Sequence, residues 1–340
     1  MIIYIGNVLS SKGLNPPPIE GLKYQIRNSL NIKLTITSNK RNKLWRFVHM
    51  NYVFWVNLRK ISLVFIDVYS TQAFYYALYF SFLSWLYSIK YIPIIHGGDI
   101  KRRIRKSQWM TKFVFSKAAI NISPSKYILN IFLKNNFKVE YIPNSIDLSL
   151  FQFRHRKKIG PKLLWLRSFH NIYNPQMAIY VLKKISEIHE NVTLTMVGPD
   201  KDGSLQECQE LSKKYNIDNK VSFTGYLAKK EWIKIAESHD IFLNTSNIDN
   251  MPISILEIMA MGIPIISTNV GGLPYMLSSE NNALLVDPND IGQMVYYINL
   301  LIKNPSYAYK LSMNAFQDSK QYSIDSIFPK WEKIINTYIK

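Results

Sequence analysis

Short apolar runs alternate with helix-periodic segments along this 340-residue chain, and that order constrains the fold more than any other feature. It closes most simply as a parallel sheet wrapped by helices. In the second half, LLWL (163–166), VTLTMV (192–197), VSFTG, IFLNTS and IPIIST (263–268) read as buried strands. Between them the spacing predicts helices near 204–216, near 229–238, from Pro252 and near 290–303. Asn174 and Pro175 mark a cap and first helical position, followed by Ala178, Val181, Leu182, Ile185 and Ile188 at helical spacing. The first half is less regular, with strands near 2–5, 32–36, 61–66 and 91–95. At roughly 150 residues per domain, two doubly wound domains are expected, residues 1–150 and 151–325. The helix 326–340 is expected to pack back toward the N-terminal domain. The join lies where PNSID and the basic RHRKKIGPK interrupt the periodicity.

The excess of basic residues is unevenly distributed. Residues 1–150 hold 21 Lys plus Arg against 5 Asp plus Glu, whereas residues 151–340 hold 21 against 18. A basic face on one domain attracts a polyanion, and nucleic acid, an anionic membrane surface and phosphorylated substrates all qualify. The single cysteine, Cys208, forms no internal disulfide and makes a cysteine zinc cluster impossible. MIIYIGN lacks the basic start and long apolar stretch of a secretory signal, so the chain is expected to stay cytoplasmic. Val68–Ile89 carries no formal charge but is interrupted by tyrosines and serines, and reads as a helix packed inside the first domain.

In open parallel sheets a ligand sits beyond the carboxyl ends of the strands. The residues there are polar: Arg167 after LLWL, Gly198 after VTLTMV, Thr245 and Ser246 after IFLN, and Asn269, Gly271 and Gly272 after IPIIST. Gly271 and Gly272 precede Leu273 and Pro274 at an expected helix start, where bare amides can approach a phosphate. A glycine serving turn geometry alone reads the same way. Glu257 is the one charged side chain in the thirty residues 250–279. On an apolar helix its carboxylate needs partners, either a ligand's hydroxyl pair or neighbouring backbone amides.

Asp249 and Glu257 bracket DNMPISILE, an acid, seven residues and an acid, followed by MAMGIPIISTNVGG. Together with HGGD, PNSID, VSFTGY and ALLVDPND, this resembles the retaining glycosyltransferases of family 4, whose GT-B fold has two Rossmann-like α/β domains facing each other across a cleft. The resemblance spans most of residues 90–300. It implies that Glu257 holds the ribose hydroxyls of a nucleotide sugar, that Asp249, with Asn250 beside it, touches the transferred sugar, and that Gly271 and Gly272 meet the diphosphate through amides. Arg167 would stand by the leaving phosphate, Gly198 on the donor side, and His96 would face the sugar across the cleft. Departure of a nucleoside diphosphate would then be stabilised without a metal or other cofactor.

The chain departs from the family pattern at several positions. The first acid is aspartate rather than glutamate. The lysine usually found after Arg167 is missing, and Lys101, Arg102 or Arg103 is expected to supply that cation. Tyr275 replaces an acid, and the first-domain glycine pair is reduced to Gly13. The other histidines, His49, His155, His170, His189 and His239, show no metal-ligand spacing.

KRNKLWRFVHMNYVFWVNLRK (40–60) and KRRIRKSQWMTKFVFSK (101–117) mix cations with aromatics. That composition fits a helix lying on an anionic bilayer, and equally a solvated helix with its aromatics turned to the core. The expectation is a retaining, hexosyltransferase-type enzyme that passes a sugar to a saccharide, undecaprenyl-diphosphate-linked or otherwise lipid-linked, in bacterial surface polysaccharide synthesis. A GT-B nucleotide-sugar epimerase would share the donor contacts. A basic nucleic-acid binder is the other alternative, but it gives no reason for Glu257 and the Gly-Gly loop.

Overall fold

A computed structural model of the chain describes residues 1–6, 18–40 and 42–339. Most of its strands are the apolar runs, and those at the centre of each sheet are buried on both faces as parallel strands are. In the first sheet they are β1 (Ile2–Ile5), β2 (Leu34–Thr37), β3 (Leu63–Val68), β4 (Lys90–Ile95), β5 (Asn121–Ser123) and β6 (Val139–Tyr141). In the second they are β7 (Lys162–Leu166), β8 (Thr193–Val197), β9 (Val221–Gly225), β10 (Ile241–Asn244), β11 (Ile265–Thr268) and β12 (Leu284–Val286). The orders are β2-β1-β3-β4-β5-β6 and β12-β11-β10-β7-β8-β9, and every pairing is parallel. Strand order reverses between β1 and β3 in one sheet and between β7 and β10 in the other. Loops leave in opposite directions there and open a crevice at the carboxyl ends.

The chain divides into residues 1–146 with 323–340, and residues 147–322. The boundaries fall a few residues before the expected 150 and 325, where the Ile146 carbonyl accepts from Ile324 N at 3.0 Å. Helix Ile324–Tyr338 belongs to the first unit, where Trp331 meets the Phe65 ring edge-on at 5.5 Å and Ile334 and Ile335 join the cluster of Ile19, Leu22 and Ile26. The stretch read as a packed helix forms Phe74–Leu86, and no described helix is long and apolar enough to cross a membrane. Helix Pro175–Ile185 begins as expected, but Asn174 is left-handed and makes no side-chain cap; its amide donates to Asn289 Oδ1 at 2.8 Å instead.

In the second unit the apolar helix Ile253–Met261 is anchored at its C-terminal end by Arg156, which is buried. Its Nε donates to the His239 carbonyl and its Nη1 to the Gly262 carbonyl, each at 2.9 Å. Both acceptors would otherwise be unsatisfied at helix ends. Burial lowers the guanidinium pKa to about 10, so it remains charged at neutral pH. Arg156→Leu strands these carbonyls and should cost about 3 kcal/mol in chemical denaturation; a change under about 1 kcal/mol would contradict this anchoring.

Candidate functional site

At the reversal between β7 and β10, Arg167 follows β7 directly, and its backbone N donates to the Val197 carbonyl at 3.1 Å. The guanidinium lies 4.3 Å over the Tyr173 ring centroid and pairs through Nη2 with Asp249 Oδ2. Asp249 also accepts from Ser246 Oγ at 3.2 Å and from Asn250 N at 2.9 Å. Both side chains are largely enclosed, and Arg167 Nε finds no partner among the described residues. Two groups expected to touch different parts of a ligand are thus held against each other in the free chain. The turn after β10 brings them together.

The Gly-Gly loop explains that turn. Gly271 has φ +55°, and a Cβ there would run into the Asp249 carbonyl oxygen; one on Gly272 would run into that of Asn250. Only glycine lets the loop after β11 lie across the backbone of residues 249–250. Of the two amides expected to meet a diphosphate, that of Gly272 is engaged by the protein itself. Gly272 N donates to the Asp249 carbonyl at 3.1 Å, Leu273 N to Val270 at 3.0 Å and Tyr275 N to Gly272 at 3.1 Å. The expected helix is a single 3₁₀ turn, Leu273–Tyr275, and its amides are engaged within the loop. Gly198, after β8, is similarly placed under the Arg167 carbonyl, with its N donating to Gly225 at 2.8 Å.

Glu257 is 6% exposed on helix Ile253–Met261. Its protein partner is a lysine rather than the neighbouring backbone amides weighed from the sequence. Lys229, the first residue of helix Lys229–Glu237, places Nζ 2.5 Å from Glu257 Oε1 and 5.4 Å from the Phe151 ring centroid. Burial pushes the carboxyl above its ordinary value despite this lysine. Lys229 is separated from Glu257 by a whole strand and turn, and nothing in KKEWIK distinguishes it from a surface lysine.

In the first unit, His96 follows β4, and its N donates to the Val68 carbonyl at 2.9 Å. Its Nε2 lies 2.8 Å from Asp67 Oδ1, and its ring stacks on Tyr69 with centroids 5.5 Å apart. Burial, with the negative charge of Asp67 adding to it, raises the Tyr69 phenol well above its usual value. The Arg103 guanidinium donates through Nε and Nη2 to the Ser70 carbonyl at 3.0 and 2.7 Å and lies 5.1 Å from the Phe74 centroid. Lys101 is exposed, and Arg102 stands 3.8 Å from Asp99 on the same surface helix. Gly13 lies outside the described residues.

Two outcomes follow for the second unit. Gly272→Ala forces apart the loop and the 249–250 backbone and should lower stability by about 2 kcal/mol, which calorimetry would detect; an unchanged melting temperature would refute the close approach. Because the folded chain holds a proton on Glu257 more tightly than the unfolded chain does, this group's contribution to stability falls as pH rises just above the ordinary carboxylate range. Denaturation of Glu257→Gln across that window should lack this part of the slope.

Residues 150–318 match the family model for glycosyl transferases group 1. Protein CapJ of Staphylococcus aureus is 24% identical over 239 residues, 67% of this chain and 59% of that protein. The N,N'-diacetylbacillosaminyl-diphospho-undecaprenol alpha-1,3-N-acetylgalactosaminyltransferase of Campylobacter jejuni is 23% identical over 243 residues, 67% of this chain and 62% of that protein. The first curated relatives are matched over 36%, 59% and 60% of their own length, less than two thirds. Among solved structures, Anabaena HepE in complex with UDP and glucose superposes with a TM-score of 0.77 at 14% identity, covering 99% of each chain. The chain therefore has the GT-B class of α/β fold, and residues 150–318, nearly all of its second unit, match the model of the group 1 glycosyl transferases.

Proposed function

We propose that this chain is a glycosyltransferase that moves a hexose-type sugar from a nucleoside-diphosphate sugar to a saccharide acceptor with retention of configuration. The observation that carries the reading is Glu257, buried on an apolar helix of the family-matching unit and answered, among the described residues, by one lysine that is one-third exposed. A ribose diol donates two hydrogen bonds to a carboxylate, which suits a group otherwise costly to desolvate. Arg167, stacked on Tyr173 and paired with Asp249, is a cation fixed before the reaction. In this reading a donor phosphate shares that cation while Asp249 takes a sugar hydroxyl. Charge developing on the departing diphosphate then meets a preorganised partner, and no metal is invoked. With the Gly272, Leu273 and Tyr275 amides engaged, Arg167 and Lys229 are the cations of this unit that the reading relies on for the phosphates. The family match favours transfer over epimerisation.

The acceptor proposed is a lipid-linked saccharide of a surface polysaccharide, met at a membrane surface. Helix Lys43–Asn57 turns Met50 and Phe54 inward, but Trp45, Val48, Tyr52 and Trp55, at helical spacing, are exposed, with Trp45 at 65% and Tyr52 at 64%. Trp109 is exposed at 75% beside Lys106 and Lys112. An apolar stripe flanked by cations suits an anionic bilayer, where each Lys or Arg contributes about 1 kcal/mol. The Campylobacter relative carries undecaprenol in its name, which accords with this choice of acceptor.

Incubation with a panel of nucleotide sugars and a polyprenyl-diphosphate-linked saccharide, read by mass spectrometry, should show acceptor-dependent transfer with the anomeric configuration kept. Glu257→Gln should lower kcat/KM roughly 30-fold, about 2 kcal/mol; an equally active variant would remove the basis of the reading. Vesicle co-sedimentation should show binding to anionic but not zwitterionic lipid, weakened by salt and by the double change Trp45→Ser, Trp55→Ser. Equal partitioning of parent and variant would count against the membrane surface.

A further inference from the structure

Asp67 stands inside β3, in LVFIDV, where every side chain is buried. Its carboxylate is 1% exposed. Two donors converge on one of its oxygens: Tyr4 OH, from the neighbouring strand β1, and His96 Nε2 at 2.8 Å, both on Oδ1. The other oxygen, Oδ2, has no partner among the described residues, and a Cβ on Gly6 would run into it. These residues straddle the reversal between β1 and β3, the first sheet's own crevice. A cavity beside them is bordered by Tyr4, His96, Pro124, Asn144 and Ser145, so HGGD and PNSID meet there.

A carboxylate burying one unpartnered oxygen among aliphatic strands is costly to the fold. What it offers in return is control of a ring. A carboxylate accepts and cannot donate, so the imidazole nitrogen facing it carries the proton, and the second nitrogen is left with its lone pair. His96 Nδ1 has no protein partner among the described residues, and the ring is 14% exposed. We propose that Asp67, braced by Tyr4, is a positioning residue that holds His96 as the Nε2–H tautomer, so that Nδ1 accepts a hydrogen bond from a sugar hydroxyl. The ring is held from three sides: by Asp67 at its edge, by Tyr69 on its face and through its own backbone N on Val68. Rotation that would present the protonated nitrogen instead would break the contact with Asp67. The preference is therefore for a ligand group that donates, a hydroxyl, over one that only accepts, such as a phosphate oxygen. The inference rests on the glycosyl-transfer reading for the identity of the hydroxyl, and on the geometry alone for the tautomer.

The test is a long-range proton–nitrogen correlation spectrum of the full chain labelled with 15N-histidine, recorded at pH about 8.5, where imidazole is ordinarily neutral, with His96 identified from His96→Gln. The expected parent spectrum shows one His96 tautomer, protonated at Nε2. Asp67→Leu should give an averaged or reversed tautomer while the other histidine signals stay in place, and should lower kcat about tenfold with the donor KM within about twofold. Tyr4→Phe should keep the tautomer. A parent protonated at Nδ1, or an Asp67→Leu protein with the parental tautomer, overturns the inference; should Asp67→Leu fail to fold, the parent spectrum decides alone. Failure of the functional reading looks different: a parent with the expected tautomer that turns over no nucleotide sugar upholds the positioning of His96 and removes glycosyl transfer.

Discussion

Removing a carboxylate from water without a partner costs several kcal/mol, and three acids in this chain are placed where that cost must be met locally. Asp249 is met by Arg167, Glu257 by Lys229, and Asp67 by Tyr4 and His96. Asp249 and Asp67 lie where strand order reverses, and Glu257 is on the helix that follows the Asp249 turn. Parallel strands cannot supply partners from within the ladder, whose interior is aliphatic. Apart from Tyr4, which reaches Asp67 from β1, partners come instead from residues beyond the carboxyl ends: Arg167 after β7, His96 after β4 and Lys229 at a helix start. The polar chemistry of the chain therefore gathers where the sheets open.

Close backbone approach sets the second unit's geometry as firmly as charge does. The loop after β11 crosses residues 249–250 with no room for side chains at Gly271 or Gly272, which fixes Asp249 against Arg167. Glycine at these positions is needed for packing first. The hydrogen bonds of the loop engage the Gly272, Leu273 and Tyr275 amides: the same freedom that exposes an amide also lets it satisfy a neighbouring carbonyl.

Much of the second sheet was legible because its strands are continuous aliphatic runs set off by Gly, Pro and Asn. β7 to β11 lie within two residues of their expected bounds at each end. β12 and helix Pro305–Ser319 give no such signal: LLV is short, and PSYAYKLSMNAFQDS mixes polar and apolar residues without a clear face. In the first sheet β5 and β6 are three residues each, below the length at which a pattern emerges. Glu257 could be singled out because it is isolated in charge along the chain. Its lysine could not, since the pairing depends on how helix Lys229–Glu237 meets helix Ile253–Met261. Asp67 was hidden for the opposite reason, one acid at the end of a run whose aliphatic character already accounted for it. The contacts of Arg103 could not be read either, because proximity in sequence to HGGD says nothing of the Ser70 and Thr71 carbonyls to which it donates.

The central claim is that a nucleoside diphosphate occupies the second unit between the Asp249–Arg167 pair and Glu257. Hydrogen–deuterium exchange of the full chain with and without UDP, GDP or ADP tests it most directly. The account predicts that one of the three slows exchange over residues 244–275 and at the start of helix Lys229–Glu237. Slowing confined to other segments, or none with any nucleotide at millimolar concentration, would contradict it.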